Sequence, residues 1–357
     1  MLISKTTMIE LGFGTGLNFL KTWALFEKNL GEADLLEFIS CEEKPLTQDQ
    51  IAQALSPYPE LKNYLRKLLD HYPIFIPGTS NHYFLPLVPG RVHLHCLWGA
   101  PEKTLKNLEA QADRVFFNPP FSRERDFELV RRFLKSSNQD VLKSILPVWF
   151  QPAALPSSSF PQGEGKQRAK KSVAILGAGI AGCSMAYVLA HLGCDITVFD
   201  PLGIAQAASG NPYGLIRPNL TVDNNSSDQF ISQGAYLSIN TIKDLMAQGL
   251  DLEILFEQVI QEVPELRLKK RFEDLVKNKH PAVLKIDSEN NYQISPAALI
   301  SPIKFCEALI QSAQNISKKL GGKFNFIKQG VEKLEYKIME TRIELLWEKL
   351  IIGFEVK

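Results

Sequence analysis

No run of apolar residues in this chain of 357 approaches the roughly 20 that a membrane span needs. Cysteine is scarce and scattered: Cys41, Cys96, Cys183, Cys194 and Cys306 form no CxxC pair and have no metal-ligand spacing. That argues against a metal centre and a disulfide framework, and it suits a reducing compartment. Charge of one sign is also lacking. Lys and Arg number 40 against 39 Asp and Glu, a net charge of +1, so any contact with a polyanion has to use local patches. Repeats and low-complexity tracts are absent too. The opening Met1-Leu-Ile-Ser-Lys-Thr-Thr leads almost at once into a strand and does not read as a signal peptide, so a cytoplasmic protein without membrane contact is expected.

What is present is strand–helix alternation, twice over. In the first part, strands are expected at Thr7–Glu10, Glu37–Cys41, Arg91–Leu97 and Asp113–Phe117, and helices at Leu17–Asn29, Thr47–Leu55 and Leu61–His71. Such alternation predicts a parallel sheet with helices on both faces. Between Pro147 and Lys171 the composition shifts to proline, serine and glycine and ends in Lys166-Gln-Arg-Ala-Lys-Lys171, which reads as a linker with a solvated basic end. A second alternation follows: strand Ser172–Leu176, helix Ile180–Leu192, strand Asp195–Phe199 and a long helix over Asp228–Gln248. The expected architecture is α/β with two Rossmann-like units, over residues 1–146 and 172–357, joined by a linker at 147–171.

Glu10-Leu-Gly12-Phe-Gly14-Thr-Gly16 closes the first strand and opens the first helix. Glycines at this spacing allow a sharp turn and close approach of a ligand to the helix N-terminus. An acid just before them disfavours a phosphate and favours a cation such as the sulfonium and ammonium of S-adenosylmethionine. Glu42, ending the second strand, is placed for ribose hydroxyls. A purely structural turn is the alternative. Asn118-Pro-Pro-Phe121 lies where open α/β sheets bind ligands, so Asn118 is a candidate catalytic residue that would receive an amine; otherwise the stretch is a turn after a strand.

Gly177-Ala-Gly179-Ile-Ala-Gly182 repeats the arrangement, with Asp200 at the end of the following strand. This is a dinucleotide fingerprint in its proper context, with Gly177 for the turn, Gly179 for the pyrophosphate, Gly182 for helix packing and Asp200 for the adenosine ribose. The small-residue stretch Ala207-Ala-Ser209-Gly210-Asn211-Pro-Tyr-Gly214 points to FAD rather than NAD, against the alternative of an ordinary flexible loop.

Taken in order, these residues resemble the family of bifunctional bacterial tRNA 5-methylaminomethyl-2-thiouridine biosynthesis proteins. The resemblance is carried by Glu10 to Leu20 with its Leu17-Asn18-Phe19-Leu20 ending, by Phe38–Glu42 with Lys44-Pro45-Leu46, by Pro147-Val-Trp-Phe150, by Ala208–Asn211 with Gly214, and by Ser295–Pro302. It implies an S-adenosylmethionine-dependent methyltransferase of the class I type, fused to an FAD-dependent oxidoreductase of the D-amino-acid oxidase type. The implied substrate is the wobble uridine of tRNA. The flavin half would remove carboxymethyl from 5-carboxymethylaminomethyl-2-thiouridine, and the other half would methylate the amine. This chain has Asn118-Pro-Pro where the family has Asp-Gly or Asp-Pro, and both halves are shorter. Two other readings remain: a stand-alone FAD-dependent amine or amino-acid oxidase with a vestigial N-terminal domain, and a non-catalytic remnant.

Overall fold

The computed structural model describes residues 5–29, 34–72, 81–118, 129–134, 171–219, 226–256, 259–261, 269–270, 272–275, 284–286 and 291–331. The expected linker, apart from Lys171, and the stretch Pro119–Phe121 lie outside them. By internal contacts the chain divides into two compact units. One comprises Met1–Gln167, Arg217–Asn240 and Gln258–Ala297, and the other Arg168–Ile216, Thr241–Glu257 and Ala298–Lys357.

The first unit is built on β1 (Lys5–Leu11), α1 (Leu17–Asn29), β2 (Leu35–Glu42), α2 (Gln48–Leu55), α3 (Lys62–His71), β3 (Asn81–Val88), β4 (Val92–Trp98), α4 (Pro101–Thr104) and β5 (Arg114–Phe117). The sheet order is β3-β4-β2-β1-β5. Successive strands step outward from β1 through β2 to β4, whereas β5 pairs on the other side of β1, so the order reverses between β1 and β5. Such a switch point opens a crevice beyond the carboxyl ends of the strands. Both faces of the sheet are apolar, as a doubly covered parallel sheet requires. Met8, Phe38, Leu94 and Trp98 pack in one cluster with Phe19 and Trp23 of α1. Ile9, Leu11, Ile39, Leu97 and Val115 pack in another with Val130 and Phe133. The start of α2 is set by a capping box, in which Thr47 Oγ1 accepts from Gln50 N and Gln50 Oε1 accepts from Thr47 N.

The sheet departs from the all-parallel expectation in one strand. β3 runs antiparallel to β4. The connection is a tight turn in which Gly90 has a φ of 71° and Arg91 N donates to Val88 O, and so short a link cannot join parallel strands.

That hairpin carries a polar cluster near the amino ends of β2 and β4. The Glu37 carboxylate accepts from His93 Nδ1 at 3.0 Å and His95 Nε2 at 2.7 Å, while His95 Nδ1 lies 3.0 Å from His82 Nε2 on β3. Burial alone would raise the Glu37 pKa, but the two imidazoles hold it well below the usual carboxylate range.

In the remainder of the chain the elements are β6 (Ser172–Leu176), α5 (Ile180–His191), β7 (Asp195–Phe199), β8 (Gly214–Ile216), α6 (Ser226–Ala247), β9 (Ile254–Phe256), β10 (Val259–Gln261), β11 (Leu284–Ile286), β12 (Tyr292–Ile294), β13 (Ala298–Ile300), α7 (Pro302–Lys319) and β14 (Phe324–Ile327). Strands β14, β7 and β6 form a parallel sheet in that order. Two short antiparallel sheets, β8-β13-β9 and β10-β12-β11, complete the described architecture. No helix among the described residues is long and apolar enough to cross a membrane.

The Glu37 cluster yields a stability prediction. Glu37→Gln keeps the shape but removes the charged acceptor, and should cost about 1–3 kcal/mol at neutral pH. A carboxylate whose folded pKa is depressed contributes above its unfolded pKa and loses that contribution as pH falls through the folded value. Urea denaturation of both proteins should therefore show the gap closing in acid; a gap unchanged by pH would contradict the assignment.

Candidate functional site

The chain leaves β1 at Leu11 and enters α1 at Leu17. To reverse direction in so few residues, Gly12, Gly14 and Gly16 all adopt positive φ, at 89°, 54° and 75°. A Cβ on Gly16 would lie 2.7 Å from the buried Phe13 ring, whereas one on Gly14 would meet nothing within 4 Å. The middle of the turn thus presents bare backbone to open space, the cradle a close-fitting ligand needs.

Glu42 sits against this turn. Its Oε2 accepts from Gly14 N at 3.1 Å and its Oε1 from Lys44 N at 2.9 Å. A carboxylate has about four acceptor positions, so two remain for ligand hydroxyls.

Glu10 lies differently from the sequence expectation of an acid facing a cation directly. It is fully buried, and both oxygens are engaged. Oε1 accepts from Asn18 Nδ2 at 3.0 Å and Asn118 Nδ2 at 2.8 Å, and Oε2 accepts from Ser40 Oγ at 2.9 Å. Burial pushes its pKa up to about 7, against the pull of these three donors and with a small push from the Glu42 charge.

Asn118 stands just past β5, across the switch point, and its side chain points inward. Its Nδ2 donates to Glu10 Oε1 and Gly12 O, and its Oδ1 accepts from Asn18 Nδ2. Its backbone N–H extends the β1–β5 pairing to Leu11 O. Instead of offering its amide to an incoming amine, Asn118 braces the glycine turn. Both Nδ2 hydrogens are used, and about one acceptor position on Oδ1 is left. The residues that complete this network, Asn18 and Ser40, carry no functional motif of their own in the sequence. Asn18 lies in the first turn of α1, and Ser40 is the direct β2 neighbour of Glu10.

The second glycine turn leaves β6. Gly177 has a φ of 98°, and its N–H continues the ladder to Phe199 O. Gly182 sets how closely helix and strand approach, since a Cβ there would stand 1.9 Å from Gly177 O. Gly179 is the N-cap residue of α5 and has no side chain to cap with. Ser209 supplies the cap from the loop, its Oγ accepting from Ile180 N at 3.1 Å. A Cβ on Gly179 would come within 2.9 Å of that hydroxyl.

Asp200 accepts from Ala178 N, Leu202 N and Gly203 N at 2.8–2.9 Å. Burial pulls its pKa up, but these three backbone donors win and hold it below the ordinary aspartate range. About one acceptor position stays open for a ribose hydroxyl. The loop is tied to the turn by Ala205 N donating to Ala178 O, with Ala205 itself at a φ of 54°. Gly210 is closely confined, since a Cβ would fall 2.9 Å from Ala205 O. Asn211 is exposed and donates within the loop to Ala208 O. Gly177, Gly179, Gly182, Asp200, Ser209 and Gly210 therefore come together, and Asn211 lies at their margin. A dinucleotide fits this cradle: over Gly177 a Cβ would meet nothing within 4 Å, and the adjoining helix N-terminus carries only a hydroxyl that a phosphate oxygen can replace.

Residues 172–316 match the model of the FAD dependent oxidoreductase family. The chain is 29% identical over 306 residues to the tRNA 5-methylaminomethyl-2-thiouridine biosynthesis bifunctional protein MnmC of Leptospira interrogans serogroup Icterohaemorrhagiae serovar copenhageni (strain Fiocruz L1-130), covering 75% of this chain and 47% of that protein. It is 31% identical over 273 residues to the protein of the same name from Aromatoleum aromaticum (strain DSM 19018 / LMG 30748 / EbN1), covering 68% and 42%. Among solved structures, glycine oxidase from Bacillus cereus ATCC 14579 is 17% identical, covers 47% of this chain and 49% of that one, and has a TM-score of 0.37, too distant to carry an argument. The chain spans about half the length of the curated relatives it matches. By this kinship the chain belongs to the family of tRNA 5-methylaminomethyl-2-thiouridine biosynthesis bifunctional proteins.

Proposed function

We propose that the chain carries the two cofactor units of a tRNA-modifying enzyme acting at the wobble uridine. Residues 1–146 would bind S-adenosylmethionine and residues 172–357 FAD, with 147–171 joining them. The observation that carries this reading is the pair of independent strand–glycine turn–helix units, each with an acid closing its second strand, Glu42 and Asp200. When bound, the flavin would supply a hydride acceptor for the carbon beside the substrate nitrogen, and S-adenosylmethionine an electrophilic methyl group. The net result would be oxidation of that carbon to an imine, hydrolysis by water to the free aminomethyl group with the two carbons leaving as glyoxylate and the flavin reoxidised by an external electron acceptor, then methylation to 5-methylaminomethyl-2-thiouridine.

The protein's own residues have binding and orienting roles in this scheme. Gly177 and Gly179 admit the pyrophosphate to the N-terminus of α5, Ser209 and Gly210 line its edge, and Asp200 offers its remaining lone pair to the adenosine ribose. Gly12, Gly14 and Gly16 admit the second cofactor, with Glu42 on its ribose. Asn118 holds the turn in shape from the acceptor side; being an amide, it cannot take the proton that a methylated amine must lose. That favours a second reading for the first unit, in which the cofactor binds but methyl transfer is slow, so that flavin-dependent amine oxidation is the main chemistry.

Three outcomes test the proposal. Gly179→Trp should purify without the visible absorbance of an oxidised flavin, because the indole would fill the pyrophosphate's approach; retained stoichiometric flavin would refute the site. Glu42→Ala should weaken S-adenosylmethionine binding by about 1–3 kcal/mol in calorimetry, the usual cost of a lost charged hydrogen bond. Unchanged affinity would move the ribose contact elsewhere. Radiolabelled methyl transfer to undermodified tRNA should run about 10²–10⁴-fold below an intact relative, the usual share of general acid–base help. Equal rates would sink the second reading.

A further inference from the structure

Glu10 is an anomaly that the cofactor assignment does not absorb. A fully buried carboxylate ordinarily requires a cation beside it or a dense set of donors. The elements around it provide neutral donors only: Asn18 from α1, Ser40 from β2 and Asn118 after β5. The charged and titratable neighbours give no compensation. Glu42 on β2 adds like charge, and burial keeps the Cys41 thiol neutral, its pKa pushed up to about 12. Lys21, on α1, lies over the Tyr58 ring 4.9 Å from its centroid. Arg114 stands at the opposite end of β5, paired with Met8, whereas Glu10 pairs with Phe116. Among the described residues Glu10 makes no salt bridge.

The hydrogen-bond geometry suits both protonation states without moving a heavy atom. Ser40 Oγ, 2.9 Å from Oε2, can donate to a carboxylate or accept from a carboxyl O–H. The two amide N–H groups reach Oε1 in either state. The missing cation is what the glycine turn would bring. S-adenosylmethionine carries a sulfonium charge, and the methyl-transfer product, S-adenosylhomocysteine, does not.

We propose that Glu10 is a proton-linked charge sensor for the ligand on the first glycine turn: on the acid side of neutrality it is protonated when the turn is empty or holds the neutral thioether, and ionised when the turn holds the sulfonium. This rests on the S-adenosylmethionine assignment above. The step balances as Glu10 carboxyl plus sulfonium ligand giving Glu10 carboxylate with the bound sulfonium and one proton released to solvent. By linkage, alkaline pH favours substrate cofactor over product, and acid pH erases the preference. Glu10 is a positioning group in this scheme, acting through charge from behind the turn.

Calorimetric titration of the full chain with S-adenosylmethionine and with S-adenosylhomocysteine, at about pH 6 and about pH 8, tests this. The two ligands share an amine and a carboxylate, so their ratio isolates the sulfonium. The affinity ratio should rise up to about tenfold over that range, the change expected when the competent ionised fraction goes from roughly a tenth to nearly all. At about pH 6, paired buffers of different ionisation enthalpy should register proton release with the sulfonium ligand and much less with the thioether. Glu10→Gln should flatten the ratio, and the wild-type proton count stands even if that variant does not fold. A wild-type ratio independent of pH, or equal proton release with both ligands, would overturn the inference while leaving cofactor binding intact. Failure of the folded protein to bind either ligand at both pH values would overturn the assignment and the inference together.

Discussion

Both units depend on one steric condition. A strand must pass directly into a helix, and the backbone at the bend must stay bare so that a ligand can reach its N–H groups. Side chains are incompatible with that bend. At Gly12, Gly14, Gly16 and Gly177 the backbone lies in the left-handed region that β-carbons disfavour. At Gly182 the conflict is one of space, since a methyl group would drive into the carbonyl of Gly177 and push α5 away from β6. Once the bend is fixed, the rest follows locally. The helix N-terminus faces outward, and the next strand, pairing in parallel, delivers its last residue beside the turn. An acid at or just past that end, Glu42 or Asp200, lies against the backbone N–H groups of its turn.

Three carboxylates near these turns show how far donors and burial decide what the same functional group does. Asp200 is shallow and receives three backbone N–H groups, so it stays ionised and shapes the loop that follows. Glu42 receives two and keeps acceptor capacity to spare. Glu10 also has three donors, but it is sealed from water, and the cost of burying charge outweighs them until its pKa stands near neutrality, at about 7. Counting hydrogen bonds would have ranked Asp200 and Glu10 as equals; solvent separates them.

Local signals were legible in the sequence, and juxtapositions were not. Helix α1 begins and ends where the pattern put it, because a glycine turn fixes one end and a polar stretch the other. Strands β6 and β7 likewise match to the residue, each a short apolar run stopped by a turn signal. Strand β3 went unseen although Tyr83, Leu85 and Leu87 alternate with more accessible neighbours, because Pro86 interrupts the run and strand–helix alternation led away from a hairpin. Strand β14 is four residues long, too short to carry a pattern of its own. At the site, the glycines could be read because their chemistry is their own. Asn18 and Ser40 could not, because each matters through partners distant in sequence, and only pairing β2 in register with β1 and laying α1 across the strand ends brings them to Glu10. Asn118 was found for its position, but its inward orientation follows from two acceptors, Glu10 and Gly12 O, that no linear motif displays.

The two units differ in how much of their sheet is covered, and this bears on which functions are separable. In the first, helices and loops bury both faces of a five-stranded sheet. In the second, β6 lies at the edge of its sheet among the described residues, and Leu176, Ile180, Met185 and Val188 remain about half exposed on β6 and α5. A doubly wound sheet places further strands on that side of its first strand. Recognition of a dinucleotide does not wait for them. Within 172–211, Asp200 and Ser209 each bond the turn, and Gly210 is confined by the loop at Ala205 O and Ala207 O. Positioning a substrate against a reactive ring is a demand on surfaces farther from the turn. On the proposed reading, cofactor affinity and turnover would rest on different parts of this unit, and the contacts assembled around β6 and α5 would serve the first.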